Sequence, residues 1–197
     1  LAMTWFDSSN QQNNPIYSWN PDFETFEAAT YLTREDSFGW EPFRAGNVLY
    51  LAHAMFMNSG RTQDRKSEIY KFNVPPQMAD MGNSNPDVTL NINAGYHFRS
   101  FVVDGVTYLA LACFDGAADT QTYVYRVSGT SSISLTQIQG FMLRGARKWT
   151  AGTAGGETLM ALAAYDDAAG FNSTIYRWSR TFALLLPLQT TTAASSY

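Results

Sequence analysis

Leu109-Ala110-Leu111-Ala112-Cys113-Phe114-Asp115 decides how this chain folds, because the chain writes nearly the same line four times. The other copies are Leu1-Ala2-Met3-Thr4-Trp5-Phe6-Asp7, Leu51-Ala52-His53-Ala54-Met55-Phe56-Met57 and Met160-Ala161-Leu162-Ala163-Ala164-Tyr165-Asp166. They begin 50, 58 and 51 residues apart. A period of about 50 residues marks an array of supersecondary units, with kelch-like propeller blades at the top of the usual range. Within each copy, large and small apolar residues alternate. A short apolar run bounded by turn signals reads as a buried strand rather than a helix.

Two further lines keep the same register. Ile16-Tyr17-Ser18-Trp19, Ile69-Tyr70-Lys71-Phe72, Val124-Tyr125-Arg126-Val127 and Ile175-Tyr176-Arg177-Trp178 follow the first line, always with tyrosine in the second place. Gly39-Trp40-Glu41-Pro42-Phe43, His97-Phe98-Arg99-Ser100-Phe101 and Lys148-Trp149-Thr150 precede it. Gly46-Asn47, Asp104-Gly105 and Gly155-Gly156 separate the preceding line from the first. These pairs take positive φ readily, as two-residue hairpin turns require. A fourth run, such as Ile133–Ile138 or Phe182–Leu186, completes a unit of four antiparallel strands, which is a propeller blade. The expected fold is all-β. Residues 1–33 form a partial blade, residues 39–93, 97–141 and 147–190 form full blades, and 191–197 form a Thr/Ser/Ala-rich tail that reads as a linker. Fifteen strands fall one short of four blades. The tail could close a small ring, two copies could join, or the units could be part of a larger propeller; the last is favoured because the chain opens inside a blade.

The combined pattern resembles the EAR repeat, also called EPTP, of the leucine-rich glioma-inactivated and thrombospondin-like EAR proteins. The residues that carry the resemblance are Trp40-Glu41-Pro42-Phe43, Tyr50-Leu51-Ala52, Ser67-Glu68-Ile69-Tyr70-Lys71-Phe72 and Ser173-Thr174-Ile175-Tyr176-Arg177-Trp178. It spans Leu1 to about Gln189. The chain departs from the family in placing Phe or Tyr, often with Asp next, where Asn usually follows the Tyr-Leu strand, and in Val127 where the family has Trp. The resemblance implies a propeller, usually of seven blades, on an extracellular protein, acting in recognition or adhesion and not in catalysis.

Composition sets outer bounds. Hydrophobic residues make up 45% and charged residues 15% of the 197 residues, which excludes a disordered chain. A formal net charge of −4 disfavours nucleic acid and anionic membranes as partners. The lone Cys113 excludes an intramolecular disulfide and reads as a packed thiol. No apolar run is long enough for a transmembrane helix. The sequon Asn172-Ser173-Thr174 adds to an extracellular, secreted or cell-surface reading, with Asn172 as a glycosylation acceptor in the loop before a tyrosine strand.

Catalytic constellations are scarce. His53 and His97 are the only histidines, and no Cys-x-x-Cys or Gly-x-Ser-x-Gly is present. No cofactor is expected. Asp7, Asp115 and Asp166 share one repeat position, with Met57 as its fourth member. In a ring such carboxylates could converge on Ca²⁺, which takes six to eight oxygen ligands; the same residues also read as strand-ending aspartates bonded to their own turns. The recurring aromatics read as packing between blades. Binding is expected on the variable loops, namely the stretch with Arg61, Arg65 and Lys66 and the insertion with Met78 and Met81. The resulting expectation is a non-catalytic module that binds an extracellular protein partner. A structural subunit of a filament, coat or matrix and a glycan-binding lectin are the alternatives.

Overall fold

The computed structural model describes residues 13–33, 37–56, 66–72, 85–92, 94–114, 119–130, 132–166 and 170–193. Among these there are only strands, turns and short connections. The strands are β1 (Asn13–Asn20), β2 (Thr25–Thr33), β3 (Ser37–Ala45), β4 (Val48–Met55), β5 (Ser67–Phe72), β6 (Val88–Leu90) and β7 (Gly95–Val103). They continue as β8 (Val106–Cys113), β9 (Asp119–Ser128), β10 (Ser134–Arg144), β11 (Ala146–Ala154), β12 (Glu157–Asp166), β13 (Gly170–Ser179) and β14 (Leu184–Ala193). Three antiparallel four-stranded meanders result: sheet I (β3–β6), sheet II (β7–β10) and sheet III (β11–β14). β1 and β2 pair as a separate hairpin. The first of the four repeated lines, Leu1–Asp7, lies outside the described residues.

The turn chemistry expected from the sequence is present. Asp104 and Gly105 take φ of 50° and 76°, and Gly155 and Gly156 take 58° and 78°, the double positive φ of a type I′ turn. Gly46 supplies φ 58° at the first central position of the β3–β4 turn. Each first strand also carries one extra residue: the register of the first strand against the second shifts across residue 38, across Tyr96 and across Arg147. These are equivalent positions of the repeat, so the bulge belongs to the unit.

Side chains alternate across each strand, and the repeated line therefore builds two unlike faces. In sheet II, Phe98, Leu109, Leu111 and Tyr125 make a bulky face, and Phe101, Tyr108, Ala110, Ala112 and Val124 make a shallower, alanine-lined one. The bulky face packs on the shallow face of sheet I, formed by Phe43, Tyr50, Ala52, Ala54 and Ile69. The shallow face of sheet II in turn receives Trp149, Met160, Leu162, Tyr176, Trp178 and Leu185 of sheet III. First strands lie nearest one another, β3 against β7 and β7 against β11. Of the recurring aromatics, Phe98, Tyr125, Trp149 and Tyr176 are buried between neighbouring sheets, Tyr70 is buried beside Leu51 of its own sheet, and Trp40 is half-buried.

Hydrogen bonds lock the stacked sheets in register. Gln139 on β10 donates Nε2–H to the Leu185 carbonyl and accepts from the Leu185 N–H, both at 2.8 Å. Tyr50 Oη donates to the Thr130 carbonyl at 2.9 Å, and Thr107 Oγ1 donates to the Arg44 carbonyl at 2.8 Å. Burying one Leu or Phe side chain is worth about 1.5–3 kcal/mol and one neutral hydrogen bond about 1 kcal/mol, so the apolar nesting carries the stability and the polar bonds set alignment.

Three expected placements move. β14 runs to Ala193, pairing Thr191, Thr192 and Ala193 with Ser173, Asn172 and Phe171, so the stretch read as a linker from 191 begins as strand. For the same reason Asn172 lies within β13 and not in a loop ahead of it. Phe182, read as the start of a strand, sits in the turn before β14.

Gly145 tests the frame. It takes φ 72°, and an added Cβ would run into the Tyr165 carbonyl oxygen. The left-handed conformation alone costs a side chain about 1–2 kcal/mol. Gly145→Ala should lower the melting temperature by at least about 4 °C in a thermal scan followed by circular dichroism. Gly152→Ala, whose Cβ would meet open space at ordinary φ, should leave the melting temperature nearly unchanged.

Candidate functional site

The bulges decide what stands at one end of the sheets. β4, β8 and β12 all finish there, and the β4–β5, β8–β9 and β12–β13 connections leave from it. We call it the loop end. Ala94 and Gly145, at φ 63° and 72°, precede the bulged strands, and their carbonyls accept the Phe114 and Tyr165 N–H groups at 2.9 and 2.8 Å. These bonds fix the last aromatic of the repeated line in sheets II and III. The bulge then turns its own residue toward that aromatic, as bulges beside functional sites commonly do.

A row of rings across the sheets is the result. Phe56 and Phe114, equivalent residues of sheets I and II, stack with centroids 5.7 Å apart at 24°. Tyr96 meets both edge-on, at 5.6 and 5.8 Å. The next place in the row is taken by a cation: the Arg147 guanidinium carbon lies 3.7 Å from the Phe114 centroid, 5.2 Å from Tyr96 and 5.9 Å from Tyr165. Arg147 Nη1 also donates to Tyr96 Oη at 3.1 Å. A planar guanidinium over ring faces gains from the ring quadrupole, by about 0.5–2 kcal/mol depending on desolvation.

A second polar group lies along the inner strands. Glu41 on β3 is buried, and its Oε1 accepts from the Ser100 N–H at 2.8 Å and from Ser100 Oγ at 2.6 Å. Arg99 stands 3.8 Å from its other oxygen. The carboxylate thus satisfies an N–H on the inner edge of β7, a strand that has only β8 as its pairing partner in sheet II. His97 sits beside this group, and its pKa is lowered to about 4, chiefly by burial and further by Lys148 and Arg99. Its Nδ1 is buried with no hydrogen-bond partner among the described residues. At neutral pH it is therefore a neutral imidazole, its charged form disfavoured by burial and by the two cations.

Other expected residues fall as follows. His53 is fully buried and stacks on Trp40 at 4.0 Å, a packing role. Cys113 is a buried free thiol whose pKa burial pushes up to about 12, too high for a reactive thiolate. Lys66 is exposed at the loop end, just before β5. Arg61, Arg65, Met78, Met81, Asp7 and Asp115 lie outside the described residues. The backbone of Asp166 ends β12, next to Tyr165. Among the described residues no cluster of three or more His, Cys, Asp or Glu side chains is placed to hold a metal ion. A groove of about 330 Å³ opens at the opposite end, between sheets II and III. Its arginines face acids, with Arg177–Glu157 at 3.5 Å and Arg180–Asp104 at 3.3 Å.

Sequence reasoning missed the Arg147 row. Its visible trace was the aromatic at the end of each first line, Phe56, Phe114 and Tyr165, where the resembling family usually has Asn. The chain matches no protein-family model and no curated protein.

Two measurements test the site. Arg147→Ala removes the ring contacts and the Tyr96 bond, and should cost about 2 kcal/mol, with Arg147→Lys intermediate because it keeps charge without planarity. The His97 sign follows from its lowered pKa: between about 6.5 and about 4 the unfolded chain binds the extra proton, so stability falls as pH falls through that window. Comparing melting temperatures of the wild type and His97→Gln across that range should show the smaller decline in the variant.

Proposed function

We propose that sheets I to III are consecutive blades of an EAR-type β-propeller, and that this propeller is an extracellular, non-catalytic module holding a protein partner at its loop end. What supports the propeller is the repeated four-stranded meander, stacked face to face with first strands neighbouring one another. What supports recognition is the row of Phe56, Phe114, Arg147 and Tyr165. Each of these side chains keeps part of its surface accessible. Tyr and Arg are over-represented among the residues that carry binding energy at protein interfaces, because rigid rings and a planar cation lose little freedom on docking. The row lies where the connections that carry Arg61, Arg65, Lys66 and Asp115 leave the sheets. Aromatic side chains held at the strand ends from which variable loops leave suit a module whose specificity resides in the loops.

The single observation behind this reading is the arginine stacked among rings from neighbouring sheets. Its test is a screen of the purified chain against an array of extracellular protein ectodomains, run beside a glycan array. Saturable binding to an ectodomain is expected, weakened at least about tenfold by joint charge reversal at Arg61, Arg65 and Lys66, equivalent to about 1.4 kcal/mol. Binding to glycans that free sugar competes away, with no ectodomain bound, would replace this reading with the lectin one.

A further inference from the structure

Three arginines of the sheets face carboxylates of this chain. Arg177 stands 3.5 Å from Glu157, Arg180 3.3 Å from Asp104 and Arg99 3.8 Å from Glu41. Arg147 has no carboxylate within ion-pair distance among the described residues; rings surround it instead. A guanidinium carries five N–H donors. Nη1 spends one on the Tyr96 hydroxyl, and Nε is buried with no hydrogen-bond partner among the described residues. Nη2 makes no hydrogen bond among those residues either, but unlike Nε it is not enclosed.

Packing alone does not call for a charge at this place. Tyr96 occupies the equivalent bulge of sheet II with a neutral ring, and it packs on both Phe56 and Phe114. The rings around Arg147 keep water from its faces and hold its plane, yet they leave its unit charge without a counter-ion. A cation flanked by low-dielectric groups draws a carboxylate more strongly than one in bulk water does. The stacked fork is also ordered in advance, so little freedom is lost when an acceptor docks.

We infer that Arg147 seats an acidic side chain, Asp or Glu, of the protein partner held at the loop end. This rests on the reading of the loop end as the recognition surface. A carboxylate is favoured over a phosphate because the row of Phe56, Tyr96, Phe114, Arg147 and Tyr165 holds one cation. One guanidinium balances one carboxylate, whereas a phosphate of about two negative charges is read by clusters of arginines. Phe114 and Tyr165 stand beside the guanidinium, half-buried, and offer apolar surface to the methylene stem of the acid. The β4–β5 connection that leaves the same end carries Arg61, Arg65 and Lys66, a positive field that steers an acidic surface toward the seat.

The experiment uses an array of short peptides containing Asp or Glu, each beside a twin with Asn or Gln in its place. Binding of the purified chain to the best pairs is then measured by fluorescence anisotropy. The acidic peptides should bind at least about tenfold more tightly than their amide twins, and Arg147→Gln should abolish that preference, as expected when one member of a partly desolvated charge pair is removed. Arg147→Lys should keep part of it. Circular dichroism checks that the variants are folded, and the amide twins test the unsubstituted chain directly. Equal binding of the twins, or a preference that survives in folded Arg147→Gln, would overturn the inference by assigning the attraction to the loops. So would phosphoserine peptides that bind at least about tenfold more tightly than the Glu ones, which would make the seat a phosphate reader. An ectodomain bound equally well by wild type and Arg147→Gln would leave the loop end a recognition surface and remove the acid seat. Acidic peptides held through Arg147 with no ectodomain bound would do the reverse.

Discussion

The nesting of large side chains over alanines is the constraint on which the structure depends. Ala110 and Ala112 on β8 have no exposed surface, and Trp149, Met160 and Leu162 of the next sheet occupy the space above them. Ala52 and Ala54 do the same beneath Phe98, Leu109 and Leu111. Interiors pack at crystal-like density, so the small residues are as binding a choice as the large ones. A methylene added to an alanine would collide with the facing sheet; one removed from a leucine would leave a hole. Because one strand supplies alanines to one neighbour and leucines to the other, a single line of sequence specifies both interfaces of a sheet. Repetition of that line then orders the sheets in space.

On this frame the bulge in each first strand separates scaffold from site. It recurs at residue 38, Tyr96 and Arg147, so the backbone feature is constant while the residue on it is not. The carbonyls of Ala94 and Gly145 hold the facing strand ends in place, whatever side chain the bulge carries. Arg147 can therefore insert beside Phe114 without disturbing the core, and Tyr96 can serve as its hydrogen-bond partner. A fixed main chain with exchangeable residues is how a repeat acquires a local chemistry at one unit alone.

Much of this frame was legible in the sequence because its causes are local. Alternation within Tyr108–Cys113 gives the strand and its two faces, and Asp104-Gly105 gives the turn. The recurrent tyrosines declare themselves as packing because they persist while the loops change. The bulges were not legible: an extra residue present in every unit leaves the period unaltered. Arg147 was missed for a different reason: its partner Phe114 belongs to the preceding unit, and only the stacking of sheets brings them together. The end of β14 was misread from composition. Thr190-Thr191-Thr192 looks like a linker beside Ala and Ser, yet threonine is β-branched and suits a strand. The short β12–β13 connection extends β13 back to Gly170, and that backbone takes Thr191–Ala193 as its partner.

The same contrast explains how loops of different length hang on one kind of four-stranded sheet. Eleven residues join β4 to β5, five join β8 to β9 and three join β12 to β13. In sheet III the two strands pair again at Tyr165–Phe171 and Asp166–Gly170, next to the connection. In sheets I and II the pairing stops earlier, and a side chain takes over. Ser67 Oγ accepts the Met55 N–H at 3.3 Å, and Thr122 Oγ1 accepts the Cys113 N–H at 3.4 Å. Ser67 and Thr122 are equivalent residues and both are buried. A buried N–H left without a partner would cost about 1–3 kcal/mol, so the hydroxyl is what lets the strands part before the loop begins. A loop can then lengthen without opening the core, and the loop end can diversify while the alanine and leucine columns beneath it stay unchanged.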